Sequence, residues 1–304
     1  MESARVGYLG PEGSFSHEAV TTVGNSEAVA YSSLEDLLGA VADGSVDQGL
    51  VPLENALEGT VSATIDGLVF NHDLVILQEI VLPIHLHLLA RPGVGLGDIT
   101  SVRSFVHALA QVRDFLHSKG LSSAQTTSTS QAARDVAESN EPLAAVGSAL
   151  AGELFGLDVV AADIEDHPDN ATRFVLVGRD YVAAPTGHDR TTIVCFQDAD
   201  RPGSLYAILG RFAARDINLT KLESRPTKRG LGDYCFVIEF EGHVADEVVA
   251  DCLTDLQAHL ARVKFLGSYA VTGVGSSSRR EEVGEARQAA AKWMEAIRAR
   301  VRRS

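Results

Sequence analysis

Val6-Gly7-Tyr8-Leu9-Gly10-Pro11-Glu12-Gly13-Ser14-Phe15-Ser16 reads as a buried strand, a glycine-and-proline turn and the start of a helix at Ser14. Backbone N–H groups and hydroxyls at such a start can hold a carboxylate or phosphate, although a tight turn followed by an N-cap uses the same residues. The alternation continues along the chain. Ser33 is placed to cap a helix over 34–41, with Asp36 in its first turn. Residues 48–52 form a second buried strand, and 73–90 a long extended stretch. Strand and helix patterns then alternate over 101–105, 108–117, 130–137, 144–147, 150–155 and 173–178. Strands interleaved with helices at this spacing predict an α/β sheet covered on both faces. About 180 residues is large for one such lobe, so two lobes around a cleft are expected.

Ala183-Ala184-Pro185-Thr186-Gly187 reads as a linker. Beyond it the pattern is strand 191–196, helix 204–214, strands 219–224 and 234–240, helix 245–258 and strand 263–271. That βαββαβ order predicts a ferredoxin-like domain. A glycine–serine joint follows, and apolar residues at spacings of three and four predict an amphipathic helix over 279–304. The expected domains are therefore 1–182, 188–273 and the tail 279–304.

Charge divides the 304 residues in the same way. The chain is net −15, but residues 1–186 hold 8 basic against 25 acidic groups, 187–276 hold 10 against 12, and 277–304 hold 8 against 4. Acidity argues against nucleic acid or an anionic membrane as partner, since both would repel the chain. No apolar run approaches the roughly 18 residues of a membrane span. Three cysteines, none in a Cys-x-x-Cys pair, give no zinc or disulfide framework and make the cytoplasm the expected compartment.

Several polar residues stand where ligands of α/β sheets bind. Val51-Pro52-Leu53-Glu54-Asn55 brings a carboxylate and an amide out of the end of a buried strand. Asn55 suits orientation of a polar group; Glu54 suits acid–base work. Both also suit capping of the next turn. Ser104 and Gln111, seven residues apart, can lie on one helix face two turns apart, toward a cleft, but an N-cap serine and a surface glutamine suit the spacing better. His85 and His87 share a strand face, but with no third ligand at hand no metal is expected. Thr172-Arg173-Phe174 enters the closing strand. Arg173, one of few cations in an acidic segment, is either buried in a salt bridge or a bidentate carboxylate holder.

Together these blocks resemble the prephenate dehydratase family. The resemblance rests on residues 10–16, 51–55, 126–133 and Thr172-Arg173-Phe174, and covers about residues 5–272. The second domain resembles the ACT regulatory module, through Arg201-Pro202-Gly203-Ser204-Leu205 and Leu222-Glu223-Ser224-Arg225-Pro226. One departure is visible: the family's Ser-His-Pro-Gln lead-in reads here Ser104-Phe105-Val106-His107. The resemblance implies a two-lobed, periplasmic-binding-protein-like α/β catalytic domain, a ferredoxin-like ACT domain and a C-terminal helical tail.

It also implies a decarboxylating elimination, in which prephenate gives phenylpyruvate, CO2 and water on the route to phenylalanine. No cofactor or metal is implied, and no dinucleotide, Walker or His-Glu-x-x-His motif is present. Thr172, Glu54, Asn55, Ser104 and Gln111 carry the implied catalytic roles; Arg173, Phe174, Ser14, Thr129 and Ser130 carry substrate binding. Gly203, Ser204, Leu205, Asn218, Leu219, Glu223 and Ser224 would surround phenylalanine as allosteric effector between two ACT domains, which requires a homodimer or homotetramer. Two alternatives stay open: the amino analogue arogenate as substrate, and a non-catalytic amino-acid sensor.

Overall fold

The computed structural model describes residues 3–179, 181–197, 201–228, 230, 233–272 and 292–294. The chain divides into two compact units, Met1–Val182 and Ala183–Ser304. The expected tail helix lies outside the described residues except for 292–294, which are helical.

The first unit begins with β1 (Ala4–Leu9), α1 (Phe15–Thr21), β2 (Ser26–Tyr31), α2 (Leu34–Asp43), β3 (Gln48–Asn55), the short β4 (Gly59–Thr60), α3 (Ser62–Asp66) and β5 (Val75–Pro83). Ser33 caps α2 as expected, its hydroxyl accepting from Asp36 N at 3.1 Å. Leu37, Leu38 and Val41 on one side of α2 are fully buried, the spacing of a helix whose one face meets a sheet. The chain then crosses into a second lobe: β6 (His87–Ala90), β7 (Ser101–Ser104), α4 (Val106–Ala110), α5 (Arg113–Lys119), β8 (Ser122–Gln125), α6 (Thr129–Glu138), β9 (Leu143–Gly147), α7 (Ala149–Phe155) and β10 (Asp158–Ala161). It returns through β11 (Ala171–Gly178) to finish the first.

The first-lobe sheet has the order β2-β1-β3-β11-β5, with β4 beside β3; the second has the order β10-β6-β9-β7-β8. Strands β1, β2 and β3 are parallel, and β11 runs antiparallel between β3 and β5. The two crossing segments are tied together, Ile84 N to Asn170 O and Ile164 N to Leu86 O, both at 2.8 Å. Two lobes joined by paired crossings are the periplasmic-binding-protein-like arrangement expected. The long extended stretch 73–90 is two strands in two sheets, because the chain changes lobe at Ile84. The expected helix over 108–117 is broken into α4 and α5. Gln111 ends α4, and its carbonyl accepts from Asp166 N at 2.6 Å rather than continuing the helix.

The second unit runs β12 (Asp189–Phe196), α8 (Ser204–Ala213), β13 (Leu219–Pro226), β14 (Tyr234–Glu241), α9 (Glu247–His259) and β15 (Arg262–Ala270), the βαββαβ order read from the sequence. Its sheet has the order β13-β14-β12-β15, with every pairing antiparallel. Ile193, Cys195, Ile238 and Phe240 pack against Ile208, Phe212, Val249, Cys252 and Leu256 from the two helices. No helix among the described residues is long and apolar enough to cross a membrane.

Candidate active site

Strands β3 and β11 lie side by side, so their registered pairs bring Thr172 opposite Asn55 and Arg173 opposite Glu54. The ends that carry these residues face the junction of the lobes, where α/β folds bind ligands. Asn55 is held in one orientation. Its Oδ1 accepts from Leu57 N and Glu58 N at 3.0 and 3.1 Å, so its Nδ2 donates to Thr172 Oγ1 at 2.9 Å and Asn170 Oδ1 at 3.0 Å. Thr172 is almost buried, and its oxygen is used as an acceptor. Its own O–H hydrogen is thereby directed away from Asn55.

Arg173 meets the protein's own carboxylates. Its Nη2 donates to Glu54 Oε2 at 3.0 Å and its Nη1 to Glu79 Oε2 at 3.2 Å. Of the two fates open to this arginine, the structure has the salt bridge: the carboxylates it grips are Glu54 and Glu79. Glu79 is 3% exposed on β5 and was not singled out from the sequence. An acid inside the apolar run Val75-Ile76-Leu77-Gln78-Glu79-Ile80-Val81-Leu82 is the signal that marks it, since an unpaired carboxylate is almost never fully buried.

From the second lobe, Gln111 arrives at the end of α4, and its Oε1 accepts from Asn170 Nδ2 at 2.9 Å. Ser104 and Gln111 do not share a helix face: Ser104 ends β7, is fully buried, and donates its hydroxyl to Val146 O on β9 at 2.7 Å. Ser104 thus anchors the approach to α4 and is sealed from ligand. Phe174 is likewise in the core, 1% exposed, among Val6, Tyr8, Ala19, Val20, Leu50 and Leu176. Adjacent strand residues point to opposite faces, so Phe174 packs in this core while Arg173, itself largely buried, turns to the other face of the sheet. His107, in the departed lead-in, pairs through Nδ1 with Glu58 at 3.1 Å across the lobes.

The first turn is the second bridge between lobes. Ser14 caps α1, accepting from His17 N at 3.2 Å and donating to Leu9 O at 3.3 Å. Gly13, at φ +79°, presents its carbonyl to Ser148 Oγ at 3.1 Å, and Ser130 donates its hydroxyl to the Glu12 carbonyl. The hydroxyls of Ser14 and Ser130 are therefore used within the protein. Ser128, not Ser130, caps α6, accepting from Gln131 N at 3.0 Å, and Thr129 opens the helix half-buried beside it.

His85 gains neighbours that the sequence did not display. Its Nδ1 lies 3.0 Å from Glu165 Oε1 and 3.7 Å from Asp163 Oδ1, three potential ligand atoms within 4.8 Å of one another. Ion pairing accounts for the cluster, for Glu165 also accepts from Leu86 N at 2.9 Å across the paired crossings.

In the second unit, Gly203 sits at φ +86° as the residue before α8, a left-handed conformation that glycine adopts without penalty. Ser204 and Leu205 follow in the first turn, half-buried. Leu219 packs on the core, and Asn218 Nδ2 donates to Glu241 Oε1 at 3.2 Å. These groups lie at opposite ends of one copy. Leu219 pairs with Phe240 at the end where Arg190 meets Glu241, whereas α8 starts beyond Phe196, which pairs with Cys235. The ten residues of α8 separate them by about 15 Å. Glu223 and Ser224 point to opposite faces of β13: Glu223 is half-buried between Lys221 and Arg225, and Ser224 is exposed. The seven expected effector residues therefore do not gather in one place within a copy.

A two-lobed, periplasmic-binding-protein-like α/β domain followed by a ferredoxin-like βαββαβ domain is the class these features define. The chain belongs to the prephenate dehydratase family. The family model described as prephenate dehydratase matches residues 6–181, and that of the ACT domain residues 191–257. The chain is 40% identical over 300 residues to a prephenate dehydratase of Amycolatopsis methanolica, covering 97% of this chain and 98% of the relative. To that of Bacillus subtilis (strain 168) it is 37% identical over 279 residues, covering 87% and 98%. A crystal structure of the prephenate dehydratase of Arthrobacter aurescens in complex with L-Phe superposes with a TM-score of 0.85 at 36% identity, covering 96% of this chain and 99% of that one.

Proposed function

We propose that the junction of β3, β11 and α4 is where prephenate loses water and CO2, with family membership supplying the reaction class, a hydro-lyase. The departing ring hydroxyl accepts a hydrogen bond from Thr172, whose proton is turned outward by Asn55; this arrangement carries the reading. Prephenate takes up one proton, its ring carboxylate leaves as CO2, and the released electron pair enters the ring as the C–O bond breaks. Aromatisation drives the step. Thr172 is too weak an acid to protonate unaided, so water supplies the proton to the hydroxyl that Thr172 holds, and Glu54, paired with Arg173, stands beside the site as a carboxylate. Asn55, its amide spent on Asn170, Thr172, Leu57 and Glu58, aims Thr172, while Gln111 orients the ring substituents and the N–H groups at the start of α6 would hold an anion.

L-Phenylalanine is the proposed feedback effector, because the related Arthrobacter aurescens enzyme was crystallised with it. Since Gly203 and Asn218 stand apart in one copy, the binding site is assembled between two ACT units, making the enzyme a homodimer or homotetramer. Its chemistry requires no membrane, and the cytoplasm is the proposed compartment. Incubating the protein with prephenate, or with arogenate, and following aromatic product by absorbance with and without phenylalanine tests the whole reading. Turnover of prephenate that phenylalanine suppresses is expected. Turnover of arogenate alone changes the substrate, and turnover of neither leaves an amino-acid sensor.

A further inference from the structure

We infer that Asn170 is a positioning residue that passes the orientation of Asn55 on to Gln111, so that the Gln111 amide offers its N–H groups to the cleft from the second lobe as Thr172 offers its hydroxyl from the first; this rests on the proposed dehydratase reading. Asn170 is 2% exposed, on the crossing segment that enters β11. Its two ends are used differently. The oxygen Oδ1 accepts from Asn55 Nδ2 at 3.0 Å, and the nitrogen Nδ2 donates to Gln111 Oε1 at 2.9 Å. A side-chain amide that is an acceptor at one end and a donor at the other transmits direction.

The direction is fixed at the lobe-1 end. Asn55 Oδ1 is claimed by Leu57 N and Glu58 N, so only Nδ2 can face Asn170 and Thr172. Asn170 must then offer its oxygen to Asn55 and its nitrogen to Gln111. Gln111 in turn must present Oε1 to Asn170, which leaves the two N–H groups of its Nε2 facing away from the relay. Among the described residues that Nε2 has no hydrogen-bond partner in the protein. The relay therefore ends in donors on both sides: the Thr172 hydroxyl from β11 and the Gln111 amide from α4. A dianion losing a hydroxyl needs donors, and a flipped Gln111 would present its carbonyl oxygen instead.

The same residue also ties the lobes. Asn170 O accepts from Ile84 N at 2.8 Å, so the amide that links Asn55 to Gln111 is seated where the two crossings are bonded. Misplacement of a reacting group by about 1 Å can cost about 100-fold. Loss of Asn170 should therefore appear in kcat rather than in the folding of either lobe.

The test is a double-mutant cycle on prephenate turnover with Asn170→Ala, Gln111→Ala and the double variant, each with a urea-unfolding midpoint. Asn170→Ala should lower kcat by about 10- to 100-fold, with KM changed by less than about threefold. The double variant should lose far less than the product of the single losses, because both substitutions remove the same aimed donor. Independent losses that multiply would overturn the relay, as would wild-type kcat in Asn170→Ala. Should Asn170→Ala fail to fold, Asn170→Asp has nearly the same shape, keeps the acceptor for Asn55 and has no N–H for Gln111. Its kcat should still fall with the unfolding midpoint held, and wild-type kcat there would overturn the proposal. No prephenate turnover by the wild-type chain would instead remove the dehydratase reading and the relay with it.

Discussion

Glu79 and Arg173 form an ion pair at 3.2 Å with one partner almost wholly buried, Glu79 at 3% exposure. The pair joins β5 to β11 and, through the other arm of the guanidinium, fixes Glu54 on β3. Removing one partner of a buried pair leaves the other charge uncompensated, a loss of about 3–5 kcal/mol. Arg173 keeps its bond to Glu54, so Glu79→Ala is expected to lower the urea-unfolding free energy by less than that, about 1–3 kcal/mol. Arg173→Lys should also impair turnover, since a point charge cannot bridge two carboxylates as a planar fork does. An unchanged unfolding curve for Glu79→Ala would remove this role.

Thr172→Val keeps the shape of the side chain and deletes its hydroxyl. Asn55 retains Asn170 Oδ1 and the Ala171 carbonyl as acceptors, so folding should hold. The kcat is expected to fall by about 10²–10⁴, the usual contribution of a positioned proton donor. Thr172→Ser should keep most of the activity. Steady-state kinetics on prephenate decide the matter, and near-normal kcat in the valine variant would sink the role assigned to Thr172.

His85 and Glu165 bind the two crossings, and their contribution should depend on pH in a defined direction. The hydrogen bond to Glu165 holds His85 above its ordinary value of 6.5. Burial works to raise Glu165, but the Leu86 N–H and His85 outweigh it and hold the carboxylate below 4.5. The histidine part is complete below pH 6.5 and fades as pH rises through the higher folded value; the carboxylate part is complete above pH 4.5 and fades as pH falls through the lower one. Asp163 and Glu18 add to the pull on His85. The stability difference between wild type and His85→Gln should be largest between those values. Urea midpoints across the pH range check it, and a difference that does not vary with pH would refute the pairing.

The three cysteines are fully buried, and burial pushes the thiols of Cys195 and Cys252 up to about 12 and about 11. Thiolates are the reactive form, so none is expected to react with iodoacetamide in the native protein at pH 8, and all three after denaturation. Mass spectrometry of the alkylated chain gives the count; rapid native labelling would contradict the packing around α9.

Much of the fold was legible because its cues are local. Ser33 caps α2 through its own neighbour Asp36, and the βαββαβ order of the second unit is written in short alternating runs. What escaped depends on distant partners. The break at Gln111 is imposed by the N–H of Asp166, far along the chain, so the helix face that a seven-residue spacing allowed Ser104 and Gln111 to share does not exist. The change of lobe at Ile84 leaves no mark in an unbroken apolar stretch. At the site, Thr172, Glu54 and Asn55 were readable from their strand ends. Asn170 was not, because an asparagine in a polar loop looks like turn chemistry until the residues it joins are brought together.

If the proposed phenylalanine site is shared between two copies, the separation of Gly203 from Asn218 by the length of α8 has a physiological meaning. A lone copy would be half a receptor, able to turn over substrate yet deaf to the end product. Sensitivity to phenylalanine would then scale with the abundance of the enzyme itself, and the cell's supply would be restrained only once enough copies had accumulated to meet.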